Sequence, residues 1–264
     1  MDLFSLHQGT APLLVSLPHD GTRVPEDIAA RLTSEARGVP DTDWHIARLY
    51  EFARALGASI LVPSCSRYVI DLNRSEDDVS LYPGQNTTGL CPLVRFNGQP
   101  VYLPGREPDE AEVRTRVETY WRPYHVALET ELHRLREAHG RVLLWEGHSI
   151  RGELPYLFEG RLPDLNLGTA GGASASPGMQ QRLEAVLAAQ SRYDWIHNGR
   201  FKGGHITRRH GDPAHGIEAV QLEISQRIYM DEDSFVYDAG KAAGAREVIR
   251  ALLEAGLDEV SARA

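Results

Sequence analysis

Leu13-Leu14-Val15-Ser16-Leu17-Pro18-His19-Asp20-Gly21 and Val142-Leu143-Leu144-Trp145-Glu146-Gly147-His148-Ser149 share one pattern, a short apolar run that ends in a histidine. Buried strands of a parallel α/β sheet read as such runs, and ligands collect beyond their carboxyl ends. Two imidazoles at corresponding strand ends, far apart in the chain, are thereby directed to one site. Paired imidazoles suggest a metal, and a metal suggests hydrolysis.

The surrounding pattern supports the same fold class. Ile46, Leu49, Tyr50, Ala53 and Leu56 recur at helical spacing and stop at Gly57. Ser59–Val62 reads as the next strand, which completes a βαβ unit with the first strand at Leu13–Leu17. Tyr68–Leu72 reads as a further strand. Val113, Val117, Trp121, Tyr124, Leu128, Leu132 and Leu135 form one helical stripe, with a kink expected at Pro123 and an end at Gly140. Met179–Gln190 and Ala239–Ala255 read as helices, and Tyr193–His197 and Ile217–Ile224 as strands. Residues 75–107 and 168–178 read as loops. The expectation is a single domain over residues 1–264, α/β in class, with a mostly parallel mixed sheet flanked by helices.

Composition bounds the function. Of 264 residues, 42% are hydrophobic and 25% charged, and the net charge is -9. The basic residues form no stripe, which argues against nucleic acid as a partner. No apolar run approaches the length of a membrane span. The N-terminus is acidic where a secretory leader is basic, so the expectation is a cytoplasmic protein. Cys65 and Cys91 form no CxxC and no disulfide framework. Lysine occurs only at 202 and 241, so nearly all positive charge is arginine, which suits bidentate carboxylate binding.

Several residues stand out against this background. A catalytic metal site needs a third ligand beside His19 and His148. Asp41, Asp43 and His45 lie at the expected helix start; Asp41 or Thr42 suits the N-cap, which leaves Asp43 as the favoured ligand and Asp41 as the second choice. Glu223 sits in the apolar run Ala219-Val220-Gln221-Leu222-Glu223-Ile224. Two readings stay open: an edge strand with Gln221 and Glu223 facing water, or a buried carboxylate serving the site as general base. In Arg67-Tyr68-Val69-Ile70-Asp71-Leu72-Asn73-Arg74, Asn73 and Arg74 follow an apolar run and can clamp a carboxylate, or simply form a turn. Asn198–Gly211 concentrates Arg200, Lys202, Arg208 and Arg209 between glycines; it reads as a solvated loop or as a lid over an anionic substrate. Gly147-His148-Ser149-Ile150-Arg151 nearly matches a nucleophile elbow, but Arg151 stands where the turn requires a small residue. Gly168-Thr169-Ala170-Gly171-Gly172 fits no nucleotide-binding loop.

Taken in order, Ser16–Gly21, Asp41–Trp44, Ser66–Arg74, Gly147–Ser149, Asn198–Gly204 and Gln221–Ile224 resemble the N-formylglutamate amidohydrolase (N-formylglutamate deformylase) family over almost the whole chain. The resemblance implies a zinc-dependent exopeptidase-like (phosphorylase/hydrolase-like) fold and hydrolysis of N-formyl-L-glutamate, a small dianion, in histidine degradation. The order His, acid, His, Glu is also similar to that of zinc N-acetylmuramoyl-L-alanine amidases. It implies His19, Asp43 and His148 as ligands of zinc, or of another divalent metal, and Glu223 as base. The Asn-Arg pair resembles the carboxylate clamp of aspartoacylases and zinc carboxypeptidases, which assigns Asn73 and Arg74. Lys202, Arg208 or Arg67 then takes the other carboxylate. The shorter Asp43, where related enzymes often have Glu, requires the helix start to lie closer to the metal. The alternatives are an amidohydrolase for another N-acyl acidic amino acid, a metal-free serine hydrolase using Ser149, and a non-catalytic binder of acidic metabolites.

Overall fold

The computed structural model describes residues 2–79 and 86–262. Strands β1 (Phe4–His7), β2 (Leu13–Ser16), β3 (Ser59–Pro63), β4 (Val142–Ile150), β5 (Leu165–Gly168), β6 (Trp195–His197) and β7 (Ile217–Ser225) form one sheet in the order β1-β3-β2-β4-β7-β5-β6. The central pairs β3/β2, β2/β4 and β4/β7 are parallel, as is β5/β6, whereas β1 and β5 run antiparallel to their neighbours β3 and β7. The sheet is therefore mixed. The helices are α1 (Glu26–Ala29), α2 (Ile46–Tyr50), α3 (Glu110–Arg116), α4 (Arg122–His139), α5 (Pro177–Ala189), α6 (His205–His210) and α7 (Ala239–Ala262).

Alternation along the strands makes two cores. Leu13, Val15, Leu143, Trp145, Val220 and Leu222 pack on one face with Leu183 of α5 and Leu252 of α7. Leu14, Leu144 and Ala219 face the other way and meet Tyr124, Leu128, Leu132 and Leu135 of α4. With both faces covered, every residue of β4 and β7 is buried. This overturns the edge-strand reading of Glu223, because β7 lies between β4 and β5.

Three expectations are corrected. Tyr68–Leu72 is not a strand but a series of turns. β3 fills the place beside β2, and β1 closes the edge. The carbonyls of Tyr68 and Val69 accept from Arg116 Nη1 instead of a ladder, at 3.4 and 2.9 Å. The helical stripe is interrupted before Pro123 rather than kinked at it. A π-turn over Val117–Trp121 separates α3 from α4, and Pro123 falls in the first turn of α4, where its missing N–H costs little. Neither Asp41 nor Thr42 caps the helix that follows them: α2 begins at Ile46, after His45 in a left-handed conformation with φ 62°. A 3-10 turn, Glu51–Leu56, continues α2 and ends at Gly57, whose φ of 77° explains the glycine.

Candidate active site

β2 and β4 run side by side, and their histidines meet where β2 ends: His19 follows β2, whereas His148 lies within β4, which continues to Ile150 rather than ending before the histidine. His19 Nδ1 and His148 Nδ1 lie 3.1 Å apart. Asp43 Oδ2 is 3.0 Å from His148 Nδ1 and 3.7 Å from His19 Nδ1. The backbone N–H of Asp43 donates to the His19 carbonyl at 3.1 Å, and Asp43 Oδ2 accepts from Ser149 N at 3.1 Å. These bonds bring the short acid as close as the site requires. Asp41 is engaged elsewhere, with the Tyr68 hydroxyl and Phe96 N at 2.6 and 2.9 Å, and His45 Nε2 turns to the Phe235 carbonyl. Of the three candidates for a third ligand, the structure brings Asp43 to the histidines.

Two carboxylates hold the outer sides of the imidazoles. His19 Nε2 lies 2.7 Å from Asp71 Oδ1, and His148 Nε2 lies 2.7 Å from Glu146 Oε1. A carboxylate at Nε2 keeps a proton there and turns Nδ1 inward, the atom through which a neutral ring would bind a metal. Two imidazole nitrogens and one carboxylate oxygen thus converge with both rings oriented, and the three buried side chains could hold a metal ion. The cluster also draws in positive charge. Arg67 Nη2 contacts His19 Nδ1 and Nε2 at 2.5 and 2.8 Å and lies 3.4 Å from Asp71 Oδ2.

The electrostatics follow from burial opposed by partners. Burial alone pushes Asp43 up, but its hydrogen bonds with His148 and His19 outweigh that and hold it well below the usual carboxylate range. Asp71 is likewise held low against its burial by His19 and Arg67. Burial opposes protonation of His148, yet Asp43 and Glu146 raise its pKa well above the ordinary histidine value. Glu223 pairs in register with His148 across β4 and β7. Its burial dominates, and its pKa is pushed up to about 8.

A cavity of about 120 Å³ opens on this cluster, and Glu223, Asn73, Arg74, Arg67, Gln221 and Arg200 are among its lining residues. Asn73 is also a loop anchor: its Oδ1 accepts from Ile206 N at 3.0 Å, and its amide packs so closely on Gly204 that a Cβ there would meet Nδ2 at 2.3 Å. Arg74 forms no ion pair among the described residues. Lys202 and Arg208 are exposed and do not line the cavity, contrary to the expectation for them; Arg208 Nε instead donates to the Gly203 carbonyl. The expected loop over Asn198–Gly211 ends in α6, and Gly204 N and Thr207 N donate to Gln221 and Glu146 at 2.7 and 3.0 Å. Ser149 Oγ meets the Tyr229 hydroxyl and the Gln226 amide, with no imidazole among its described partners to serve as an activating base.

A family model described as N-formylglutamate amidohydrolase matches residues 11–230. The chain belongs to the N-formylglutamate amidohydrolase family. Two proteins named N-formylglutamate deformylase, from Pseudomonas putida and Pseudomonas aeruginosa, are each 51% identical over 254 residues, covering 96% of this chain and 95% of theirs. The crystal structure of N-formylglutamate amidohydrolase from Ralstonia eutropha JMP134 aligns with a TM-score of 0.80 at 27% identity, covering 97% of this chain and 96% of that one. A gene product of Agrobacterium tumefaciens shares the fold, with a TM-score of 0.75 at 17% identity over 98% of this chain.

The geometry places four further side chains at the site: Asp71 and Glu146 against the histidines, and Gln221 and Arg200 in the cavity lining. In the sequence Asp71 stands only as part of the Arg67–Arg74 motif, and Glu146 only as part of the apolar run before His148. The test that singles out Glu223, a carboxylate inside an apolar run, singles out Glu146 equally. Gln221 shares the face of Glu223 by alternation. Arg200 had only the general signal of a basic loop.

Proposed function

We propose that this chain hydrolyses N-formyl-L-glutamate to formate and L-glutamate, as a single catalytic unit over residues 1–264. The supporting observation is the convergence of His19, Asp43 and His148 beneath a small cavity lined by arginine, in a chain half identical to named N-formylglutamate deformylases. The donor set of two imidazoles and a carboxylate suits zinc or another divalent ion. When bound, that ion supplies a Lewis acid that polarises the formyl carbonyl and acidifies water.

The chain's own residues do the rest. Glu223, buried beside His148, accepts the proton of the attacking water and returns it to the departing amine of glutamate. A pKa near neutrality suits a group that must both take and give a proton. Asp71 and Glu146 orient the two imidazoles. Asn73 and Arg74 face the substrate, and Arg74 takes a carboxylate; each charge-assisted bond contributes about 1.5–3 kcal/mol. Arg67 adds positive charge next to His19. The reaction would close a histidine-degradation route in the cytoplasm, and no described helix is long and apolar enough to cross a membrane.

The test is product analysis: purified protein given N-formyl-L-glutamate should release formate and L-glutamate in equal amounts. Faster hydrolysis of N-acetyl-L-glutamate would move the reading to another N-acyl acidic amino acid.

A further inference from the structure

We infer that Arg200 is the specificity-determining residue for the side-chain carboxylate of the substrate. The inference rests on the deformylase reading and deepens it. A dianionic amide presents two carboxylates to one cavity, and among the described residues three arginines line that cavity: Arg67, Arg74 and Arg200. Arg67 is committed to the histidine cluster through His19 and Asp71. Arg74 and Arg200 are the other two arginines of the described lining.

The substrate's own shape divides them. Its α-carboxylate lies one carbon from the amide nitrogen, close to the reacting bond. Arg74 belongs to the same turn as Asp71, whose Oδ1 touches His19. The side-chain carboxylate lies two methylenes further out. Arg200 arrives with the matching surroundings, because its guanidinium lies 5.4 Å from the ring centre of Phe158 and 5.8 Å from that of Phe201. Those rings pack with Ile150 and Leu157, and Ile150, Leu157 and Phe201 line the same cavity. An apolar wall ending in a guanidinium fits two methylenes ending in a carboxylate.

The backbone that carries Arg200 is held before substrate arrives. Asn198, at a φ of 52°, accepts from Thr169 N and Gly171 N through Oδ1 at 2.9 and 3.2 Å. The Lys202 carbonyl accepts from Ala170 N at 2.5 Å, and Gly204 N donates to Gln221. Both flanks of Arg200 are thus tied to β5, its following turn and β7.

The experiment compares kcat/KM for N-formyl-L-glutamate with that for N-formyl-L-glutamine, a neutral isostere at the side chain. In Arg200→Gln the glutamate-over-glutamine ratio should collapse, on the order of 10- to 100-fold. In Arg74→Gln both substrates should suffer alike and the ratio should persist. Arg200→Lys, which keeps the charge but not the fork, should retain an intermediate ratio and guards against misfolding of the Gln variant. Calorimetric binding of L-glutamate against L-glutamine reads the same preference without turnover. A wild-type protein that hydrolyses neither amide yet prefers L-glutamate, with the preference lost in Arg200→Gln, would sink the deformylase reading and keep the Arg200 assignment. A wild-type preference for the dianion that survives Arg200→Gln, or no such preference in either measurement, overturns the assignment.

Discussion

Glu146 and His148 stand two residues apart on β4 and face the same side of the sheet, and Oε1 of the glutamate lies 2.7 Å from Nε2 of the histidine. The other oxygen of Glu146 accepts from the Thr207 N–H at 3.0 Å and from its hydroxyl. One buried carboxylate thus orients His148 and ties down the first turn of α6.

Glu146→Gln removes the charge behind His148 while keeping the volume. Metal affinity, measured by competition with a chelator, should fall about 10- to 100-fold. Thr207→Val, which spares the His148 contact, should change metal affinity far less. Equal losses in the two variants would mean that the carboxylate acts on the fold rather than on the histidine.

Glu223→Gln should still load metal but lose on the order of 100-fold or more in turnover. The same variant reports on pH. The pKa of Glu223 is raised in the folded protein, from an ordinary 4.5 to about 8, so its contribution to stability is full below 4.5 and is lost as pH rises to 8. Above that pH the metal-free Gln variant should be the more stable, by at most about 5 kcal/mol. Denaturant titrations at pH 5 and pH 9 measure the difference, and a wild type unaffected by that change would contradict the buried carboxyl.

His125 offers a second pH signature. It stacks on Trp121 with ring centres 3.7 Å apart, and its Nε2 lies 2.9 Å from the Leu72 carbonyl, beside the turn that carries Asp71 and Asn73. Burial, aided by the nearby His205, pushes its pKa down to about 3. A depressed histidine contributes stability above its unfolded value near 6.5 and loses it as pH falls toward 3. The denaturation midpoint should therefore drop between pH 6.5 and pH 4, and His125→Gln should flatten that slope.

Ser149→Ala tests the metal-free alternative. Ser149 donates its backbone N–H to Asp43, and its hydroxyl bonds with Tyr229. The variant keeps the first of these, so its turnover should fall less than about tenfold, and a fluorophosphonate should leave the wild type active. Complete loss in the variant together with inactivation by the reagent would restore the serine-hydrolase reading.

The legible parts of this protein were those whose signal is local. The runs before His19 and His148 had to be central parallel strands because both faces of each are apolar, and that placement alone brings the histidines together. Tyr68–Leu72 misled because an apolar run satisfied by Arg116 looks the same as one satisfied by a neighbouring strand. Asp71 has no sequence signature because its partner His19 stands 52 residues away in the chain, whereas Glu146, a carboxylate in an apolar run on the same strand face as His148, carries the same signal as Glu223. The sequence does not distinguish Lys202 and Arg208 from Arg200 within one basic loop; the path of the backbone does, and it brings Arg200 to the described cavity lining.

The most direct test is formate release from N-formyl-L-glutamate before chelation, after it, and after zinc is returned, with N-acetyl-L-glutamate as the control substrate. Activity should be lost on chelation, restored by zinc and much weaker on the acetyl compound, with His19→Ala and His148→Ala inactive and metal-poor. Full activity in chelated, metal-free protein would contradict this expectation.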